Sequence, residues 1–463
     1  MSYSKLIIKN FGKIKEAEIE LSNFILFVGD NNSGKSYLMT LIYGLMKYSK
    51  DITDIILKDK EFIFSLEEYK KIKDIIDKYT KINDKIESIE NVLDYVSDNV
   101  KNNFNSIETK YNLLQKDELN IFYNLLNKLL NKYKTEILKF IFNDNEHIIN
   151  LESIYFDYSN YFFNIFVTKE NCFYFKINRI SQTFIKYGTN YLFVIRSILC
   201  SILENNFYFL GLKFLPTSRT GFLLTYKELS KISNMHQFSI GDKKEKTLFQ
   251  KPIIDFINSL IDLSYIYEEN DNYKDIIEIL ENNILKGKIN LNEETNAMYY
   301  QPNNKDLKVP MHLCSAVITE VAPLYLFLKY YSISGDLFIE EPELSLHLKL
   351  QKQLARVLIN LVNKKRNVII STHSDTILEH INNMAVLHSI DENKKSQILK
   401  EYSYTEDDTI DIEKIRIYQF DTDDNDITTI KELKGERETG FYIETFHKYI
   451  NNASLEYDAI NEN

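Results

Sequence analysis

Eight residues near the N-terminus, Gly29-Asp30-Asn31-Asn32-Ser33-Gly34-Lys35-Ser36, set two glycines, a lysine and a hydroxyl in the spacing GxxxxGKS. The glycines let the backbone curl so that successive N–H groups converge on an anion at a helix N-terminus. A lysine there reaches the β- and γ-phosphates of a nucleotide, and the serine hydroxyl ligates Mg²⁺. With 12 glycines in 463 residues, chance yields this pattern in fewer than about one chain in 200. The expected ligand is a nucleotide with Mg²⁺, held by Gly29, Asn31, Asn32, Ser33, Gly34, Lys35, Ser36 and Tyr37.

Two further clusters have the chemistry to complete such a site. Glu340 and Glu341 end the short apolar run Leu337-Phe338-Ile339, at the strand end where open α/β sheets place ligands. Adjacent carboxylates there divide two tasks: one holds the metal or its water, and the other polarises the attacking water. The competing reading of the pair is a solvated loop before a helix start, since Pro342 and Glu343 suit a first helical turn. Val368-Ile369-Ile370 ends at Ser371-Thr372-His373, so His373 is expected at the next strand end, in reach of a γ-phosphate or the attacking water. His312 reads as structural, and His347 has no comparable support.

The elements that must position these groups are legible around them. Leu6–Ile8 and Ala17–Leu21 read as an antiparallel pair, and Phe24–Val28 as a strand buried on both faces. The helix after the phosphate loop has Leu38, Leu41, Ile42, Leu45 and Met46 on one side. From residue 50 the text becomes long, charged and helical. Ile72, Ile75, Tyr79, Ile82, Ile86, Ile89, Leu93 and Val96 form a coiled-coil seam. A second run from Leu119 to Phe140 folds back against it, either as a compact subdomain or as an arm. Phe163–Val167 and Phe173–Ile177 make a hairpin, and a helix is expected over about 190–204. Residues 222–285 are mostly helical, before another strand pair at Lys288–Leu291 and Ala297–Tyr300. The block 311–375 reads helix, strand, helix, strand, which implies a right-handed parallel unit.

The formal net charge of -11, with 27% charged and 44% hydrophobic residues, fits a soluble globular chain rather than a disordered or fibrous one. Tyr191–Leu203 is interrupted by Arg196 and too short to span a bilayer, and the N-terminus lacks the apolar core of a secretory signal. Three cysteines without metal-ligand spacing suit a reducing compartment. A cytoplasmic protein without membrane contact is expected, and any DNA contact must come from a local basic face.

The residues IKNFGKIKEAEIEL, GDNNSGKS, LFIEEPELSLH and IISTHSD, in that order, resemble the ABC-type ATPases of the RecF, SMC and overcoming-lysogenization-defect group, and above all the subset found in anti-phage defence operons. The resemblance implies an α/β P-loop NTPase, an ABC-type ATPase head with two mainly helical, short coiled-coil insertions. The head would comprise 1–48 with 150–221 and 286–400, completed by 401–463. The insertions would be 49–149 and 222–285. It makes Lys35 and Ser36 Walker A residues, Glu340 the Walker B metal position with Ser36, Glu341 the catalytic glutamate and His373 the switch histidine. Asn10 and Phe11 match an element that sits near the nucleotide. Arg219, in FLPTSRTGF, is a candidate nucleotide or DNA contact. Ser315 stands where a signature serine would contact the nucleotide of a second head in trans, with Ala316 or Val317 replacing the usual glycine. The resemblance implies a homodimer or higher oligomer, and an ATPase subunit of Septu or PARIS type governing a separate nuclease or toxin, with DNA as a further ligand. An ATP-held scaffold that sequesters an effector, and a RecF-like repair ATPase, are the alternatives. The tail after His373 is too short for a Toprim nuclease, and Asp421-Thr422-Asp423 reads as a hairpin loop between Ile417–Phe420 and Ile427–Ile430.

Overall fold

The computed structural model describes residues 4–81, 116–144, 149–157, 164–168, 172–176, 182–186, 191–204, 211–237, 249–263, 269–292, 297–303, 305–331, 336–442 and 460. Its centre is a nine-stranded sheet built from β1 (Lys5–Phe11), β2 (Ile14–Glu20), β3 (Phe24–Gly29), β4 (Ser153–Asp157), β8 (Lys213–Leu215), β12 (Leu337–Glu340), β13 (Val368–Thr372), β14 (Ile415–Thr422) and β15 (Thr428–Leu433). The strand order is β4-β1-β2-β15-β14-β3-β13-β12-β8. The run β14-β3-β13-β12-β8 is parallel throughout, whereas β4-β1-β2 is antiparallel. The mixed α/β class expected from the sequence is the one observed.

Strand β3 explains why the sheet is covered on both sides. Ile25 and Phe27 face one core with Leu38, Leu41, Ile42 and Leu45. Phe24, Leu26 and Val28 face a second core with Leu326, Leu358 and Ile370. Both sets are 0–1% exposed, so the continuous apolar run is what a two-faced strand requires.

On the first face lie α1 (Lys35–Lys47), α2 (Ser49–Ile56), α3 (Lys60–Ser65), α4 (Glu67–Lys81), α5 (Lys116–Lys132), α6 (Lys134–Phe142) and α7 (Tyr191–Glu204). Ile72 and Ile76 of α4 and Phe122, Leu126 and Leu129 of α5 are fully buried in the same core as α1. Lys78–Glu118 (2.8 Å) and Lys128–Glu68 ion pairs join α4 to α5. The described part of the two seams is therefore packed in the same core as α1 and the sheet; Ile82 to Val96 lie outside the described residues. A Cβ on Gly44 of α1 would come within 2.5 Å of Ile141, so α6 sits directly on the helix that follows the phosphate loop.

The second face carries α8 (Arg219–Gln237), α9 (Lys251–Asp262), α10 (Lys274–Ile279), α11 (Ala316–Tyr330), α12 (Leu348–Asn363), α13 (Asp375–Ser389) and α14 (Glu392–Tyr402). Three small sheets lie beside the large one, the smallest an antiparallel pair of Gly435–Glu436 with Gly440–Phe441. In one, β5 (Asn164–Thr168), β6 (Cys172–Lys176) and β7 (Gln182–Lys186) are antiparallel, the first pair being the hairpin read from the sequence. In another, β9 (Gly287–Leu291), β10 (Met298–Pro302) and β11 (Val309–Pro310) pair in the order β11-β10-β9. Asp423 stands in the β14–β15 turn, its carboxylate accepting from the amides of Asn425 and Ile427 at 2.9 Å each.

Candidate ATPase site

The phosphate loop leaves the C-terminal end of β3 and becomes the N-terminus of α1. Three of its residues adopt positive φ: Gly29 at 127°, Asn32 at 60° and Gly34 at 95°. Gly29 is required twice over, because a Cβ there would also lie 2.1 Å from the Phe420 carbonyl of β14. Gly34 is the N-cap of α1, so the loop delivers its amides to the positive end of a 13-residue helix. Lys35 curls back into the loop, its Nζ donating to the carbonyls of Gly29 (3.0 Å) and Asp30 (2.5 Å) and to Ser33 Oγ (3.2 Å). Burial pulls its ammonium down to about 8, against the opposing pull of Glu341, Asp30 and Glu343. Ser36 and Tyr37 are exposed, as are Asn31 and Asn32.

The acidic pair and the histidine arrive on the neighbouring strands. Glu340 pairs in register with Ser371, and Ser371 with Phe27, so the ends of β12, β13 and β3 form one row beneath the loop. Glu340 is 7% exposed. Its Oε2 accepts both the backbone amide of Thr217 (3.1 Å) and its hydroxyl (2.9 Å). Glu341 turns into the left-handed region at φ 40° and brings Oε1 within 3.8 Å of His373 Nε2. Burial and the nearby Lys35 charge depress the His373 pKa below its usual value, so the imidazole is neutral at pH 7 and this contact is not an ion pair.

The competing helix-start reading is corrected. Pro342 and Glu343 do not start a helix: Pro342–Ser345 is a turn, Ser345 lies at φ 60°, and α12 begins at Leu348 with His347 as its N-cap. Arg219 is 3% exposed and faces the protein interior, so it offers no surface to DNA. Phe11 is 1% exposed, a core side chain against Phe142 (ring centroids 6.2 Å apart), which in turn stacks on Tyr37 at 5.6 Å. Asn10 beside it is exposed, at φ 48°, and donates to Glu152. Ser315 is the exposed N-cap of α11, and its side chain makes no capping bond to that helix.

Sequence reasoning missed two groups. Glu343 Oε1 accepts the His373 amide at 2.6 Å and Oε2 accepts the Thr372 hydroxyl at 2.9 Å; burial raises its pKa, opposed by that amide. Thr217 is the other. Neither carries a local motif, since each acts on a residue of another strand.

The donor set bears on a metal. Among the described residues no three His, Cys, Asp or Glu side chains gather into a site that could hold an ion. A lone hydroxyl and a lone carboxylate suit Mg²⁺ that arrives with phosphate oxygens, not one caged by protein alone. No helix among the described residues is long and apolar enough to cross a membrane.

The AAA ATPase domain family matches residues 1–378. No curated protein matches the chain. Solved structures similar to it include an Smc head bound to the C-terminal winged-helix domain of ScpA (12% identity, 94% of this chain and 98% of that one, TM-score 0.35). The SMC head domain from Thermotoga maritima is 11% identical over 94% of this chain and 100% of its own, with TM-score 0.33. An Smc head with an extended coiled coil, bound to the ScpA C-terminal domain from Pyrococcus furiosus, is 13% identical over 98% and 100%, with TM-score 0.34. With its phosphate loop, acidic strand end and a family match over more than half its length, this chain belongs to the AAA ATPase domain family and is an ATPase.

Proposed function

We propose that this ATPase hydrolyses Mg-ATP at the row formed by β3, β12 and β13, with Glu341 as the general base. The observation that carries the reading is the convergence of Lys35, Glu341 and His373 from the ends of three adjacent parallel strands. Lys35 and the amides of Gly29, Asn31, Asn32, Ser33, Gly34 and Tyr37 would bind the phosphates. Ser36 and Glu340 would hold Mg²⁺, whose charge neutralises the bridging phosphate oxygens when bound. Glu341 would take a proton from the attacking water, and neutral His373 would hold that water or donate to the γ-phosphate.

At the level of the cell, the reading is an ABC-type head that assembles as a dimer or higher oligomer and controls a separate nuclease or toxin in anti-phage defence. The motif order given above supports it, together with the unused hydroxyl of Ser315 at an exposed helix N-cap. The glycine-free helix start Ser315-Ala316-Val317 favours a second reading, a scaffold that binds ATP and turns over little. Steady-state hydrolysis with and without linear duplex DNA separates them, with Glu341→Gln as the blank. Turnover stimulated by DNA supports an active head, and very slow turnover indifferent to DNA supports the scaffold. Adjacency of a nuclease gene would support the defence role, and a replication gene cluster would favour repair.

A further inference from the structure

The guanidinium of Arg219 is bonded almost wholly to backbone. Nη1 donates to the carbonyls of Glu340 (2.8 Å) and Pro216 (3.3 Å), Nη2 to the carbonyl of Glu341 (3.0 Å), and Nε to the carbonyl of Glu320 (3.1 Å). Glu320 Oε2 lies 2.9 Å from Nε as a buried ion-pair partner. One planar fork thus grips both acidic residues by their main chain and ties them to α11.

What this grip opposes is visible in the turn itself. Glu341 sits at φ 40°, a conformation that a residue with a long side chain leaves unless its surroundings fix it. Its amide is fixed by the Ser371 carbonyl at 2.9 Å, on the β13 side. Its carbonyl accepts from Arg219 Nη2 (3.0 Å), on the α8 side, and from the Leu344 amide (3.2 Å) within the turn, so among the described residues Arg219 is its one tie to another element. Release of either end lets the peptide relax toward negative φ, which swings the carboxylate away from His373 and Lys35.

We propose that Arg219 is a positioning residue for hydrolysis: it locks Glu341 in its left-handed turn and, through Glu320, makes that lock depend on the seating of α11. The inference rests on Glu341 being the base. The guanidinium has no solvent-facing task to weigh against this one, and Thr217, two residues earlier, secures the Glu340 carboxylate from the same segment.

The test is a paired substitution, Arg219→Met with Glu320→Leu, which removes both buried charges together and strands neither. Nucleotide affinity should stay within about threefold of the parent, while the rate per bound nucleotide falls about 10- to 100-fold. A purely structural role would instead lower the fraction of protein that binds and leave the rate per bound nucleotide intact. Arg219→Lys keeps the charge but loses the fork, and it should recover less than about a tenth of the parent rate. If the paired variant does not fold, Arg219→Lys decides alone, because its rate is read per bound nucleotide. A parental rate in a folded variant overturns the proposal. Glu341→Gln is run beside them: if it turns over normally, the assignment of the base has failed, whereas an inactive Glu341→Gln beside a fast Arg219 variant sinks only the positioning role.

Discussion

The backbone amide of His373 donates to the carboxylate of Glu343 at 2.6 Å, a bond from the end of β13 to the turn that follows β12. The same carboxylate accepts the Thr372 hydroxyl, so a single side chain sets the spacing between the acidic turn and the histidine. Glu343→Ala leaves both donors unsatisfied, and stability should fall by about 1–3 kcal/mol. Turnover should fall with it, by about tenfold, as His373 loses its fixed distance from Glu341. Urea unfolding and a single-turnover assay on the same preparation check the two effects, and unchanged values in both would mean that the bond organises nothing.

Lys35 sets a pH dependence for binding. The ammonium is held at about 8 by burial, and it is the protonated form that meets phosphate. Below that value binding needs no proton uptake; above it, each bound nucleotide must draw one proton to Lys35. The dissociation constant for ATP should therefore be flat between pH 6.5 and 7.5 and rise above pH 8, approaching tenfold per unit. Titration calorimetry in buffers of different ionisation heat reads that proton directly. Lys35→Ala should abolish binding and the pH dependence together.

Glu341→Gln preserves size and the backbone turn while removing the base. Binding should persist, and hydrolysis should slow by about 10²–10⁴-fold, roughly 3–5 kcal/mol of barrier. A pre-steady-state assay with labelled ATP measures both quantities. Turnover at the parental rate would remove Glu341 from the chemistry.

His380, far from the phosphate loop in sequence, predicts how stability responds to acid. It is 4% exposed, and its Nε2 is buried without a hydrogen-bond partner among the described residues. Burial, with Lys352 and Arg356 nearby, lowers its pKa to about 4. The unfolded chain holds this proton up to about pH 6.5, and the folded one releases it near 4. Between those values the unfolded state binds more protons, so stability rises with pH across the window and is fully present above it. The ceiling on this effect is about 3 kcal/mol. Denaturant midpoints of the parent and of His380→Leu should diverge between pH 4.5 and 6.5, with the flatter profile in the variant.

The phosphate loop was legible because all of its parts are contiguous: glycine spacing, strand before, helix after. The strand ends at Glu340 and His373 were legible for the same reason. What escaped was pairing at a distance. Thr217 and Glu340 are 123 positions apart, and no local pattern marks a threonine as the partner of a carboxylate. The competing helix start at Pro342 has a local cause. Proline followed by glutamate suits a first helical turn, yet Glu341 at φ 40° and Ser345 at φ 60° carry the chain sideways for a further turn before α12 begins. The resemblance implies Phe11 near the nucleotide, but no local pattern shows that its side chain packs in the core on Phe142, which stacks on Tyr37.

Strand β14 lies against β3 along its whole length, and Phe420 presses its carbonyl onto Gly29. The strand that launches the phosphate loop therefore gains its second neighbour from a segment almost 400 residues later. A chain emerging from the ribosome has the loop sequence early, but β3 keeps one row of backbone donors and acceptors open until Ile415–Thr422 emerges. An open parallel edge of that kind is an invitation to pair with another chain. A recombinant fragment ended at residue 378, where the family match stops, would carry every residue assigned to the chemistry and still expose that edge, so its failure would be one of solubility before it was one of catalysis.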